Sequence, residues 1–295
     1  MATLKEVQLK IAAVKKTKQI TKAMNMVAAS RLRGAQVRME GFRPYAAKFE
    51  EVLGNLAESA GEESNPLLIP REEIKKVHIV VCTSDRGLCG GFNANLIEKA
   101  EDLAKEKTDQ GKSVSFTFFG KKARDWGRRE KLAVKEFHLG VVGTSFSYNV
   151  ASTAGKKLVS AFLDNEYDEV LIVYAEFLSM AKQKPTVKQL LPIPPVEKEE
   201  TADAEGPYLA EHICEPSPEA LLGEILPKSV DVQIYRALLE TSTSEHAARM
   251  LAMDNASKAC NDIIGNLTIA YNKARQAAIT AELMDIVGGA EALKG

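Results

Sequence analysis

Along the C-terminal stretch Ala248–Leu293 one series of positions recurs at alternating steps of four and three: Met253, Ser257, Cys260, Ile264, Leu267, Tyr271, Ala274, Ala278, Ala281. That spacing is the seam of a left-handed coiled coil, and the stretch holds no proline and no turn cluster before Gly288. Most of the seam residues are small. Small knobs let a partner backbone come close and leave a thin rod, where a bundle core would favour Leu and Ile. Leu4, Val7, Ile11 and Val14 show the same spacing at the other end of the chain, and beyond Lys18 the apolar set is expected to continue, displaced, as Ile20, Met24 and Val27. An antiparallel pair of terminal helices, with the intervening chain forming a separate body, is the simplest arrangement.

Between the termini the pattern changes. Lys76–Thr83 is a β-branched run, Asn93–Asp109 reads as helix, Ser113–Phe119 as strand, Lys121–Lys131 as helix, Asn149–Leu163 as helix and Glu169–Glu176 as a buried strand. Alternation of this kind predicts βαβ units around a mostly parallel sheet, with Thr186–Leu191 and Tyr208–Cys214 as later, more exposed strands. The Pro-rich and acidic stretch between those two reads as a loop. Pro227 is expected to kink or restart the last helix near Leu226, and Pro44 to do the same to the first near Phe42.

A net charge of -1 hides an uneven layout, with Lys and Arg crowded into the first fifty residues and acids between Glu197 and Glu224. The basic residues interrupt an apolar seam and carry no interleaved aromatics before Phe42, which favours a solvated or protein-facing helix over a nucleic-acid reader. Cys82, Cys89, Cys214 and Cys260 are too sparse for a disulfide scaffold, and Cys82 and Cys89 lack zinc-knuckle spacing, so a reducing compartment is expected. No secretory or transit segment and no stretch of membrane-span length is read.

The strongest candidate for chemistry is the turn Ser84–Asn93, SDRGLCGGFN. Asp85 and Arg86 are candidate ligand groups there, yet Gly87, Gly90 and Gly91 do not make GxGxxG, and Gly120-Lys121-Lys122 is no P-loop. Tight backbone geometry is the better reading of that turn. His78, His138, His212 and His246 are scattered, with no HExxH or GxSxG, so no catalytic constellation, metal site or cofactor is expected.

Four segments, ITKAMNMVAASRLR (Ile20–Arg33), TSDRGLCGGFN (Thr83–Asn93), QIYRALLETSTSEHAARMLAMDNAS (Gln233–Ser257) and YNKARQAAITAELMDIVGGAEAL (Tyr271–Leu293), resemble the gamma subunit of F-type ATP synthases of bacterial type, in order and over nearly the whole chain. The resemblance implies an α/β fold: a long antiparallel coiled coil of N- and C-terminal helices plus a Rossmann-like middle domain, with bounds 1–58, 74–215 and 217–288. It implies a non-catalytic rotor, peripheral on the cytoplasmic side of the bacterial plasma membrane, coupling proton flow through a c-subunit ring to ATP synthesis or hydrolysis by a hexamer of alpha and beta subunits, with epsilon as a further partner. Carried over by residue, it implies beta-subunit contacts at Met24, Arg275, Gln276, Thr280 and Glu282, with Met24 close to the same belt as Arg275, and epsilon or c-ring contacts at His212, Glu215 and Glu219. The chloroplast thiol switch is not implied, since only Cys214 lies near the acidic loop. A nucleotide-binding enzyme built on the central sheet and a static coiled-coil spacer are the rival classes.

Overall fold

A computed structural model describes residues 4–60, 65–194 and 217–292. Two helices dominate, α1 (Leu4–Ala60) and α5 (Pro218–Ala292). Between them lie β1 (Lys76–Cys82), α2 (Phe92–Asp109), β2 (Ser113–Phe119), α3 (Lys121–Arg129), β3 (Val134–His138), α4 (Tyr148–Leu163), β4 (Glu169–Phe177) and β5 (Gln183–Leu191). The chain divides into two compact units, Met1–Ala29 with Arg249–Gly295, and Ser30–Ala248, and the division falls inside both long helices.

In the first unit α1 and α5 run antiparallel. Thr21 Oγ1 lies 2.8 Å from Ser257 Oγ, and Asn25 Nδ2 donates to the Met250 carbonyl at 2.8 Å, so the partner number falls as the α1 number rises. On α5 the seam is as the spacing predicts: Met253 and Cys260 are buried and Ser257, Ile264, Leu267, Tyr271, Ala274 and Ala278 half-buried, whereas Ala281 is exposed. On α1 the continuation differs from the expectation. Ile20 and Val27 are exposed at 60% and 54%, and the seam runs without displacement through Lys18, Thr21, Asn25 and Ala28. The reason is that Thr21 and Asn25 find hydrogen-bond partners on α5, which makes a polar seam position tolerable where an apolar search would skip it. The same three-four spacing then continues along α1 through Leu32, Ala35, Met39, Ala46, Leu53 and Leu56, all buried.

The second unit is built on a five-stranded sheet of order β3-β2-β1-β4-β5, parallel except for β5. This is the 3-2-1-4-5 part of the strand order of a dinucleotide-binding fold, here with an antiparallel edge. Strand β1 is central and buried on both faces, which is why its sequence is a continuous apolar run and not an alternation. Val77, Ile79 and Val81 meet α2 and α3 through Phe92, Leu96, Ala123 and Trp126, while Val80 and Cys82 share the opposite core with α4, Leu53 and Leu56 of α1, and Leu222, Leu226 and Val230 of α5. Strand β3 was not expected from the sequence. VKEFH holds only two strongly apolar residues and is half-exposed along an edge, so its strand character comes from pairing with β2. Pro185 sits on the edge strand β5, where a missing amide donor is tolerated.

Both prolines expected to kink or restart helices lie inside continuous ones, Pro44 in α1 and Pro227 in α5, so neither helix restarts there. Each removes one backbone bond, about 3 kcal/mol in an exposed helix. Fully buried Leu222, Leu226 and Val230 flank Pro227 and hold the helix against that loss. Gly288 and Gly289 also lie within α5, so the expected end of that helix there does not occur. The expected strand Tyr208–Cys214 lies outside the described residues.

Candidate functional site

In a sheet of this order a ligand would bind beyond the C-terminal ends of β1 and β4, where the strand order reverses. The Thr83–Asn93 turn stands there, and the side chains of Thr83, Ser84, Asp85 and Asn93 are committed to partners within the turn, on α3 and at Gly140. Asp85 Oδ1 accepts from Lys121 N at 2.9 Å, the Ser84 carbonyl from Lys122 N at 3.2 Å and Thr83 Oγ1 from Ala123 N at 2.9 Å, so the first amides of α3 are capped by the chain itself. Asp85 Oδ2 also takes Gly140 N at 2.9 Å, and Asn93 Oδ1 accepts from Ser84 N at 3.0 Å. Gly120 has φ +99°, and a Cβ on it would lie 2.1 Å from the Thr83 carbonyl oxygen, so glycine is required by close backbone approach. The tight-geometry reading of this region rests on those contacts. Cys89, open to reaction had the turn been loose, is buried at 2% exposure and accepts from Asn93 Nδ2 at 3.1 Å.

Helix α5 fills the rest of that crevice. Every residue from Ser229 to Ala248 is buried or half-buried, polar ones included. Thr241 Oγ1 accepts from Ala175 N and Ser244 Oγ donates to the Ala175 carbonyl, both at 3.3 Å, while Gly143 N donates to Ser242 Oγ at 3.3 Å. Arg236 Nε donates to Glu240 Oε1 at 3.3 Å, and Glu50 of α1 receives Lys188 Nζ at 3.1 Å and Arg236 Nη1 at 3.5 Å.

The histidines stay apart. His78 is enclosed between Ser115 Oγ (2.8 Å) and Thr117 Oγ1 (2.9 Å) and stacks on Tyr167; burial first, then the Lys135 charge, push its pKa down to about 3, so it is a neutral core residue. His138 stacks on Phe119 and is also held low, chiefly by burial. His246 Nδ1 lies 3.0 Å from Glu245 Oε2 on α5, and His212 is outside the described residues. Among the described residues no group of His, Cys, Asp or Glu is arranged to hold a metal ion, and no helix is long and apolar enough to cross a membrane.

The residues expected to meet partners fall into three places. Arg275, Gln276, Thr280 and Glu282 lie exposed along α5, with Thr280 Oγ1 bonded back to the Gln276 carbonyl at 2.9 Å. Met24 is half-buried on α1 and, from the Thr21–Ser257 and Asn25–Met250 pairs, stands level with residues just before Ser257. At 1.5 Å rise per residue that is about 30 Å from Arg275, so Met24 does not share its belt; spacing alone left the helix register open. Glu219 is exposed in the first turn of α5, where its own backbone amide and the Ser217 hydroxyl hold its carboxylate below the usual range. His212 and Glu215 lie outside the described residues.

One surface escaped the sequence reading. The tip of α5 exposes Ile279, Leu283, Met284, Ile286 and Val287, beyond the last half-buried seam residue Ala278. The available signal was that these large residues fall off the seam series yet recur within a single stretch.

A family model described as ATP synthase matches residues 3–293. The chain is 64% identical over 298 aligned residues to the ATP synthase gamma chain of Desulfosudis oleivorans, covering 100% of both, and 56% identical over 295 residues to that of Nitratidesulfovibrio vulgaris strain Miyazaki F, again covering 100% of both. Its fold is similar to a chain of the mitochondrial ATP synthase rotor of Euglena gracilis, with TM-score 0.63 and 18% identity over 94% of this chain and 98% of that one. With its terminal helices paired as a rod and its sheet in dinucleotide-fold order, the chain belongs to the ATP synthase gamma chain family.

Proposed function

We infer that the chain is the non-catalytic central shaft of an F-type ATP synthase, turned by a membrane ring of c subunits and acting on a hexamer of alpha and beta subunits, with epsilon bound alongside. The observation that carries this reading is the α5 tip, a helix beyond its seam that is exposed on every face and carries Ile279, Leu283, Met284, Ile286 and Val287 along one broad side. An apolar surface of that kind requires an enclosing partner, and a ring of subunits around a single helix supplies one. Small side chains at Ala277, Ala278, Ala281 and Ala290 keep the tip thin.

The physics is differential contact. A shaft touching all catalytic subunits alike shifts no equilibrium among them, whereas one that offers each a different face biases each toward a different state. Arg275 offers a forked cation to carboxylates, and with Gln276, Thr280 and Glu282 it forms a polar belt toward a beta subunit. Met24 is a second beta-subunit contact at its own level. Glu219, with His212 and Glu215, is assigned to the end that meets epsilon and the c ring. The complex is placed at the bacterial inner membrane on its cytoplasmic side, with this chain held there through partners.

The test is replacement of both Arg275 and Gln276 by Ala in the reconstituted enzyme. Neither side chain is in the seam, so thermal unfolding of the isolated chain should be unchanged within about 0.5 kcal/mol, while steady-state ATP synthesis and hydrolysis fall about tenfold or more, as for loss of a charge-assisted bond. Unchanged turnover would support a static spacer and remove these residues from the mechanism.

A further inference from the structure

We propose that the stretch Arg236–Ser244 of α5 is a torsional key, a ring of directional bonds that fixes the rotation of this helix against the sheet so that torque passes between them. This rests on the shaft reading above. Strand β4 runs on to Phe177 against β5, with Ala175 opposite Pro185, but its other neighbour stops short: pairing with β1 ends at Val173. Helix α5 takes the empty places with side chains: the Thr241 hydroxyl accepts from Ala175 N and passes its own proton to the Ala237 carbonyl at 2.7 Å, and the Ser244 hydroxyl donates to the Ala175 carbonyl. Positions 241 and 244 lie one turn apart on one helix face, so the pair grips the strand end as a neighbouring strand would.

Other faces of the same two turns are held as well. Ser242 receives Gly143 N from the loop after β3, and the Gly143 conformation, φ +81°, brings that loop against α5. Arg236 bridges Glu240 on its own helix and Glu50 on α1, Lys188 of β5 shares Glu50, and Arg43 of α1 reaches the Phe177 carbonyl at 3.3 Å, just after Ala175. A helix held only by apolar packing would be held without directional preference. Here hydrogen bonds to the sheet end, the loop and α1 each specify an angle, and burial makes each costly to break. An apolar helix would pack this site more simply, which leaves resistance to twist as the gain from a polar one.

The key is tested in the assembled complex with the hexamer immobilised and the shaft locked by a nonhydrolysable nucleotide. A bead attached through Glu106→Cys on exposed α2 reports angular fluctuation, whose variance is inversely related to torsional stiffness. Thr241→Val with Ser244→Ala, and separately Glu240→Gln, are expected to raise the variance about twofold or more by freeing local motion, while Thr241→Ser, which keeps the hydroxyl, restores the wild-type value. If the double variant fails to assemble, Ser244→Ala alone, in a residue that favours helix, carries the same expectation. Lower thermal stability with unchanged variance in every variant would overturn the key and leave the shaft reading intact; a wild-type complex whose bead never rotates with ATP would overturn the shaft reading itself.

Discussion

Helix α5 inverts the usual rule twice. Between Ser229 and Ala248 it is enclosed although much of it is polar, with Asp231, Glu240, Thr241, Ser244 and Glu245 all buried; between Ile279 and Val287 it is exposed although Ile279, Leu283, Met284, Ile286 and Val287 are apolar. In the buried segment Thr241, Ser242, Ser244 and Arg236 meet fixed partners from β4, the 140s loop and α1. Among the described residues the exposed segment meets nothing that covers it, so its apolar side chains are available to another chain. Burial of polar groups thus marks where the helix is held by its own body, and exposure of apolar groups marks where it is to be held by a partner.

The contrast breaks first at Gly155. A Cβ there would fall 1.9 Å from Asp231 Oδ1, so α4 and α5 meet at this point with no room between them. Gly155→Val is expected to destabilise the body by about 3 kcal/mol or more, through overpacking and displacement of a buried carboxylate, as read by chemical denaturation. A loss below 1 kcal/mol would mean the two helices separate easily and the enclosure of α5 is loose.

A matched pair of truncations compares the two segments directly. Leu238→Ala removes a fully buried side chain and should cost about 3 kcal/mol in the isolated chain. Leu283→Ala removes one that is 57% exposed and should cost no more than about 0.5 kcal/mol there, yet lower the thermal stability of the assembled complex. Equal costs in the isolated chain would show that the tip is already covered.

Acid probes the buried polar groups of the body. His78 has its pKa lowered from 6.5 to about 3, so below 6.5 the unfolded chain takes up a proton that the folded one refuses. Stability is complete above that point and declines as pH falls toward 3, by about 2 kcal/mol between pH 7 and 4.5. Urea denaturation across that range checks the slope, and His78→Gln should flatten it; an unaltered slope would assign the acid sensitivity to other groups.

The smallest effect is expected in the rod. Thr21 and Ser257 satisfy each other across the seam at 2.8 Å. Replacing both, Thr21→Val with Ser257→Ala, removes donor and acceptor together and should change stability by less than about 1 kcal/mol, whereas Thr21→Val alone leaves Ser257 without its partner and should cost more. A double-mutant cycle on thermal unfolding separates the two cases.

Much of the architecture was legible in the chain. Strand β2 matches its expected bounds, β1, β4, α2 and α4 lie within a residue of theirs, and the α5 seam holds from Met253 to Ala278, because each depends on local periodicity and on apolar runs that only a buried element can use. The failures share a cause. Ile20 and Val27 were expected in the α1 seam because they are apolar, and Thr21 and Asn25 were passed over because they are not. Met24 was placed close to the Arg275 belt by the resemblance, and residue order, which carries no register between distant helices, could not correct it. Strand β3 was missed, and α5 runs on through Pro227 without the restart that was one expectation there, because neighbouring elements, not local propensity, hold them.

By itself, then, the sequence determined the period of each long helix, the alternation that builds the sheet and the family to which the chain belongs, since all three are written in residue order. Only the tertiary structure decided which polar residues are enclosed and what they bind. The TSTS of α5 is unremarkable on a helix in water, and it becomes a joint only when β4 arrives with Ala175 beyond the end of its pairing with β1. Partnership between groups far apart in the chain is a property of distances in space, and no local pattern records those.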